Sequence, residues 1–308
     1  MIYDLIIIGG GPAGSAAAVY ASRKRLNTLF ITSEWGGQSS VSEKIFNWIG
    51  STSISGTELA ESMKRHVLAN AGVGQTLQIK EGEKVTSIIK KIDTFKIKTD
   101  TEEFETKTIL IATGSVHRKL EAKNADKFEN KGLTYCATCD GPMFSGMDVA
   151  VIGGGNAAFE SAAQLLAYCN SVTLLNRSNF RADQVTIDKV LKNRKIKSFT
   201  NADISEIKGD KFVEEIIIKD KNTNQEKEIK VSGIFVEIGQ IPNTDFLKDL
   251  IPLDKTNRIK IDPWTGKTEV ANIWAAGDCT NVLYHQNNIA AGDAIRSLED
   301  IYSTIHTK

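Results

Sequence analysis

The 308-residue chain is poor in cysteine (four), proline (five) and histidine (four). Four cysteines make no disulfide framework, and Cys169 and Cys279 stand alone. His66, His117, His285 and His306 form no paired spacing, so no metal site is expected. A bulk charge of one sign is also missing. The 38 Lys+Arg balance 38 Asp+Glu, which leaves no field to recruit nucleic acid or an anionic membrane surface. No apolar run approaches the roughly 20 residues of a membrane span. The run at residues 2–8 has no basic segment before it and no cleavage site after it. A cytoplasmic protein with no nucleic-acid or membrane partner is therefore expected.

Against that background one close pair stands out: Cys136-Ala137-Thr138-Cys139-Asp140. Two thiols three positions apart can close a small-loop disulfide, and the same geometry lowers the pKa of one of them. Thiolate is the species that attacks disulfides, so the spacing suits exchange chemistry. A carboxylate beside it, Asp140, can carry the proton that each redox step moves. Half of a zinc site and a structural disulfide are the alternatives, although zinc would want a second Cys or His pair.

The neighbours favour the redox reading. Residues 2–8 are a mostly apolar run, as in a strand buried on both faces of a parallel sheet. Gly9-Gly10-Gly11-Pro12-Ala13-Gly14 follows at once, and then a small-residue helix over 15–21. Between a strand and a helix, Gly-x-Gly-x-x-Gly lets the backbone approach a pyrophosphate at the helix N-terminus. A second strand at 29–31 leads to Glu34, placed where a ribose-binding acid is expected, and to Gly37-Gln38. Residues 39–57 read as a loop layer. Residues 58–71 have helical spacing, with Thr57 as the expected N-cap. Alternating segments over 76–107 predict a small antiparallel sheet. A buried strand then ends at Ala112-Thr113-Gly114.

After the dithiol the pattern repeats. The strand 148–152 precedes Gly153-Gly154-Gly155-Asn156-Ala157-Ala158 and a helix over 159–168. The strand 172–175, alternating segments over 204–231 and a strand ending at Gly239 complete a second unit. A third strand end, Ala276-Gly277-Asp278, and a closing helix over 286–298 have no fingerprint of their own, so they return to the first unit. The fold class expected is α/β: two Rossmann-like dinucleotide-binding domains, the second (116–245) inserted into the first (1–115 and 246–308).

In this order the motifs resemble the low-molecular-weight thioredoxin reductases over essentially the whole chain. Residues 182–184, 238–244 and 276–280 are also similar to the flavoprotein that reduces alkyl hydroperoxide reductase. The resemblance implies FAD in the first domain. Gly9, Gly11, Pro12, Ala13 and Gly14 would cradle its pyrophosphate, Asp278 would bind the ribityl or phosphate region, Gln38 would lie under the flavin loop, and Gln286 would place a backbone donor by the ring. Thr113, Gly114, Gly239 and Gly277 belong to the same motifs. Cys139 would be the sulfur nearest the flavin, Cys136 the one that attacks a thioredoxin-like partner, and Asp140 the proton carrier. A homodimer is implied as well.

Gly153, Gly155, Asn156, Ala157 and Ala158 predict a second dinucleotide. No acid follows the strand 172–175, and Arg177 and Arg181 can meet a 2′-phosphate, so NADPH is expected. Asn176 and Ser178 replace the His and second Arg of the resembling family, which leaves NADH or a ferredoxin-type donor as alternatives. A reductase of a peroxiredoxin or glutaredoxin-like protein and a non-turnover flavin redox sensor are the alternative functions. With no cysteine after Cys279 to relay electrons outward, rotation of the inserted domain about the two crossings is expected.

Overall fold

A computed structural model describes residues 1–42, 44–72 and 74–307. The chain forms two compact units, Met1–Val116 with Ile241–Lys308, and His117–Gln240. The return crossing therefore lies before Ile241, where the sequence suggested 246. Asn243 accounts for the earlier return. Its backbone N–H donates to Gly114 O (3.0 Å) and its amide donates to Thr113 O (2.9 Å).

In the first unit β1 (Ile2–Gly10) runs into α1 (Pro12–Arg23), β2 (Thr28–Trp35), α2 (Gly56–Leu68), β3 (Leu77–Glu81), β4 (Val85–Lys90), β5 (Phe95–Thr99) and β6 (Glu103–Ile111). Strands β3-β2-β1-β6 are parallel; β5 and β4 continue the sheet antiparallel. The apolar run of β1 alternates between two cores. Leu5 and Ile7 join Ala17, Ala18 and Val67 of α1 and α2, while Ile6 and Ile8 join Ile88, Phe95 and Ile97. A strand buried on both faces has to read as continuous hydrophobic sequence. The antiparallel segment is not a separate sheet, because β6 is long enough to pair with β5 over Glu103–Thr106 and with β1 over Glu105–Ile111.

Helix α2 starts earlier than its periodicity suggested. Ser55, not Thr57, is the N-cap. Its hydroxyl accepts the Glu58 N–H (3.1 Å), and Glu58 accepts the Ser55 N–H (3.0 Å), forming a reciprocal capping box.

The chain crosses at β7 (Ser115–His117) into the second unit: β8 (Leu133–Thr134), α3 (Ala137–Asp140), β9 (Asp148–Ile152), α4 (Asn156–Leu165), β10 (Ser171–Leu175), α5 (Gln184–Leu191), β11 (Ile196–Phe199), β12 (Ala202–Lys208), β13 (Glu215–Asp220), β14 (Glu226–Lys230) and β15 (Gly233–Val236). The order β11-β10-β9-β15-β8 is wholly parallel, and β12-β13-β14 form a separate antiparallel sheet. Val149 and Val151 pack on Phe159, Ala162 and Leu165 of α4. Ala150 and Ile152 face Ile204, Ile207, Ile216 and Ile218. The layering of the first unit is thus repeated.

The return through β16 (Gln240–Pro242) adds β17 (Ile273–Ala275), which pairs with the C-terminal half of β6. The last helix, α6, runs Asn287–Thr307 rather than stopping near 298. Leu298, Ile301, Tyr302 and Ile305 carry its apolar stripe onward into the same core as α1. Among the described residues no helix is long and apolar enough to cross a membrane.

Candidate redox and nucleotide sites

Strand β8 pairs with β15 and delivers the chain to Cys136. Cys136 is the N-cap of α3, and a disulfide joins it to Cys139 across a Cα–Cα distance of 5.3 Å. The backbone N–H of Cys139 donates to Sγ of Cys136 at 3.1 Å. A sulfur in that position would be favoured as thiolate once the bond is reduced, because an amide dipole points at it. Both cysteines are half-buried.

Asp140 closes the same turn. The Thr134 hydroxyl donates to Asp140 Oδ2, and Thr134 Oγ1 accepts the Cys136 N–H at 3.4 Å. Burial pushes the Asp140 carboxyl above the usual aspartate range, and the bond from Thr134 opposes that rise. Helix α4 holds the turn from the other side. Thr138 donates to Gln164 Oε1 (3.2 Å), and Gln164 Nε2 donates to Ala137 O (3.4 Å). A Cβ at Gly141 would lie 2.2 Å from Tyr168 Oη and 3.1 Å from Leu165, so the Tyr168 side chain packs directly on the end of α3.

The first turn of α4 forms the second-unit cradle. Gly155 is its N-cap, and no side chain caps it. A Cβ at Gly155 would meet open space, whereas one at Gly153 would meet Glu237 O at 2.3 Å and one at Gly154 the Asn176 amide at 2.2 Å. Two of the glycines are therefore packing requirements, and the third leaves room for a ligand. Ala158 is buried against β9, while Asn156 and Ala157 are exposed at the mouth. Asn156 is tied to Asp183, donating to Oδ2 (3.0 Å) and accepting the Asp183 N–H (2.9 Å).

Asn176 explains how the loop after β10 differs from the expected pattern. It is buried, and its amide donates to the carbonyls of Ser178 and Asn179, both at 2.9 Å. It holds the loop in shape and leaves Arg177 and Arg181 exposed. The Arg181 N–H donates to Gly154 O at 2.6 Å, which brings that arginine to the edge of the cradle.

In the first unit the expected residues gather at the C-terminal ends of the parallel strands, where α/β sheets bind ligands. Gly9 to Gly14 link β1 to α1; Glu34 lies at the end of β2, with Gly37 and Gln38 just after it; Thr113 and Gly114 follow β6; Gly277 and Asp278 follow β17; Gln286 precedes α6. A Cβ at Gly14 would lie 1.8 Å from Gly9 O, so this glycine lets the helix approach the strand. At Gly11, the uncapped N-cap of α1, a Cβ would meet nothing. Gly277 (φ +76°) abuts Ala13 and Ala290. The Glu34 and Gln38 side chains are exposed, and Gln286 accepts from Asn47 (2.9 Å). Gly239 (φ +100°) lies in the second unit, its carbonyl accepting the Arg118 N–H.

This cradle fits a flavin dinucleotide. It offers an uncapped helix start with open space above Gly11, and buried donors or acceptors without partners at Trp35 Nε1, His285 Nε2 and Arg258 Nε. Burial raises the Asp278 carboxyl above its ordinary value against the attraction of His285 and Arg258, and burial lowers His285. Cys279 is fully buried with its thiol pushed up to about 11, so it is an inert core residue.

The structure also brings forward residues that the sequence did not single out: Thr134, Gln164, His285, and the pair Ser161–Glu237. Gln164 and the pair Ser161–Glu237 act through contacts between segments far apart in the chain. Thr134 and His285 lie within seven residues of Asp140 and Asp278, but nothing in their sequence context marks them.

Two dinucleotide folds with a disulfide on one of them define a flavoprotein oxidoreductase. The model of the pyridine nucleotide-disulphide oxidoreductases matches residues 3–295, and the chain belongs to that family, whose chemistry joins a flavin to a nicotinamide nucleotide. The thioredoxin reductase from Streptococcus pyogenes MGAS5005 is similar over 100% of this chain and 99% of its own, with 31% identity and a TM-score of 0.91. Among curated proteins, an NADH dehydrogenase of Bacillus subtilis (strain 168) is 35% identical over 292 residues, which is 94% of this chain and 56% of that one. An alkyl hydroperoxide reductase component of Staphylococcus aureus (strain MRSA252) is 36% identical over 292 residues, again 94% and 56%. The chain spans about half the length of these curated relatives.

Proposed function

We propose that the protein is an FAD-dependent reductase that passes electrons from NADPH, through Cys136–Cys139, to the disulfide of a small thioredoxin-like protein. The observation that carries this reading is the Cys139 N–H on Cys136 Sγ, with a half-buried carboxyl, Asp140, on the same turn.

A flavin in the first unit would take a hydride from the reduced nicotinamide and supply the electron pair that opens the disulfide. Gly11 and Ala13 would hold its pyrophosphate on the uncapped start of α1, with Asp278 and Gln286 along its length. Gly155 and Asn156 would hold the nucleotide pyrophosphate, and Arg177 and Arg181 its 2′-phosphate. Opening the disulfide to the Cys136 thiolate and the Cys139 thiol consumes two electrons and one proton, which Asp140 delivers to Cys139; the second proton of the overall reduction goes from solvent to the partner's released sulfur. Cys136, the sulfur facing the amide, stays thiolate and attacks the partner's disulfide. A mixed disulfide forms as the partner's own S–S bond breaks. Cys139 then displaces the reduced partner and closes the ring. Turnover needs flavin access for nucleotide and dithiol in alternation, for which rotation about the two crossings is the route proposed. A homodimer is part of the same reading.

The relatives' names favour a second reading, in which NADH is the donor and a peroxide-reducing protein the acceptor. An anaerobic titration of the purified protein with NADPH and NADH in parallel separates the two. Bleaching of the flavin by NADPH at low concentration is expected. Bleaching by NADH alone would favour the second reading, and bleaching by neither would remove both. Assay with a thioredoxin and a peroxiredoxin then identifies the acceptor.

A further inference from the structure

Glu237 is a half-buried carboxyl that the disulfide chemistry does not use. It is the residue directly after β15, and its backbone is fixed on both sides. Its N–H donates to Ile152 O at 2.7 Å, and its carbonyl lies against the first cradle glycine, Gly153. Its side chain turns toward α4, where the Ser161 hydroxyl donates to Oε1 at 2.6 Å.

The sheet topology says which end of a dinucleotide this carboxyl meets. In the order β11-β10-β9-β15-β8, the chain leaves β9 toward β10 on one side and places β15 on the other. The point of reversal lies between β9 and β15, and ligands of such sheets lie across it. Arg177 and Arg181 follow β10, so the adenosine half with its 2′-position belongs on that side. The pyrophosphate belongs at α4, which leaves the opposite half, the nicotinamide, over the end of β15.

On the reading of the second unit as the nucleotide site, we propose that Glu237 faces the nicotinamide and, through its carboxylate, favours the oxidised, positively charged ring over the reduced, neutral one. Burial and the like charge of Glu160 on α4 push the carboxyl up to about 7, and the bond from Ser161 opposes them. The cation on this edge is Arg118, whose side chain packs on Gly239, two residues further on. Near neutral pH the carboxyl is therefore poised between its two forms. A cationic ring draws out the proton, and a neutral ring leaves it in place. Positive charge develops on the ring as hydride departs, so the ionised carboxylate also favours donation.

The test is isothermal titration of the flavin-loaded protein with the oxidised nucleotide and with its non-reducing tetrahydro analogue, whose ring is uncharged. The pair used is whichever form, NADP or NAD, reduces the flavin. Both ligands carry the same adenine half, so its phosphates cancel in the affinity ratio. The preference for the oxidised form should rise about tenfold between about pH 6 and about pH 8.5, the equivalent of about one pKa unit of linkage. The E237Q variant should be flat, and S161A should move the rise to higher pH. A flat ratio in the native protein, or an unchanged rise in E237Q, overturns the inference while leaving the nucleotide site standing. Absence of binding by either ligand removes the nucleotide site and the inference together.

Discussion

The hydroxyl of Thr134 is hydrogen-bonded to the carboxylate of Asp140, and the same oxygen accepts the Cys136 N–H. One short side chain thus ties the start of the disulfide turn to its end. It also sets the acid. Burial raises Asp140, and the Thr134 bond is the force that restrains the rise. Protonated Asp140 is the form that can give a proton to a departing sulfur, so turnover should fall as pH climbs through its raised pKa. T134V removes the restraint, and the alkaline limb of the kcat profile should move to higher pH. D140N, which cannot donate a carboxyl proton, should lower kcat by about 10²-fold, the lower end for a lost general acid. A T134V profile that matches the native one would remove Thr134 from this role.

The two cysteines should differ in acidity although they share one turn. Of the two, among the described residues, it is Cys136 that accepts a backbone N–H, that of Cys139. In a C139S variant, the rate of Cys136 alkylation by iodoacetamide should titrate below the free-cysteine value of about 8.5. In C136S the remaining Cys139 thiol should titrate higher. The reverse order would assign the exchange step to Cys139.

The glycines of the first cradle separate packing from ligand contact. Gly14→Ala drives a methyl into Gly9 O at 1.8 Å and should lower stability by several kcal/mol or prevent folding, as overpacking with backbone displacement does. Gly11→Val meets no protein atom within 4 Å at its Cβ. It should fold with native circular dichroism but leave purification with little flavin, read from the 450 nm to 280 nm absorbance ratio. Full flavin occupancy in Gly11→Val would place the pyrophosphate elsewhere.

How much of this was legible in the sequence depends on the range of the interaction. The strand-fingerprint-helix units could be read because β1 and β9 are buried on both faces and their turns need glycine at fixed spacing, features carried by a dozen consecutive residues. The insertion followed from counting strand ends. The extent of α6 beyond 298 was hidden because Ile301, Tyr302 and Ile305 show as core only once α1 lies beside them. Likewise the periodicity pointed to Thr57 as the cap, whereas the reciprocal bond with Glu58 places it at Ser55. At the redox site the sulfurs and Asp140 could be read. Gln164 could not, since its partners Ala137 and Thr138 lie on another element. Asn176 looked like a lost cation contact; in the fold it is the post that shapes the arginine loop.

That post gives the last prediction its form. Arg177 and Arg181 stay exposed after Asn176 has bonded Ser178 and Asn179, so removing them should leave the loop intact. Each charged hydrogen bond to a 2′-phosphate contributes roughly 1.5–3 kcal/mol. R177A and R181A should each raise the KM for NADPH by about tenfold or more, with the KM for NADH and the kcat unchanged, because the contact lies far from the reacting ring. N176A should act differently. It removes the two part-buried hydrogen bonds to the Ser178 and Asn179 carbonyls and should weaken both nucleotides together while lowering the urea midpoint. If R177A and R181A weaken NADH as much as NADPH, the loop is reading the shared part of the nucleotide, and the preference for the phosphorylated form must be set by other residues.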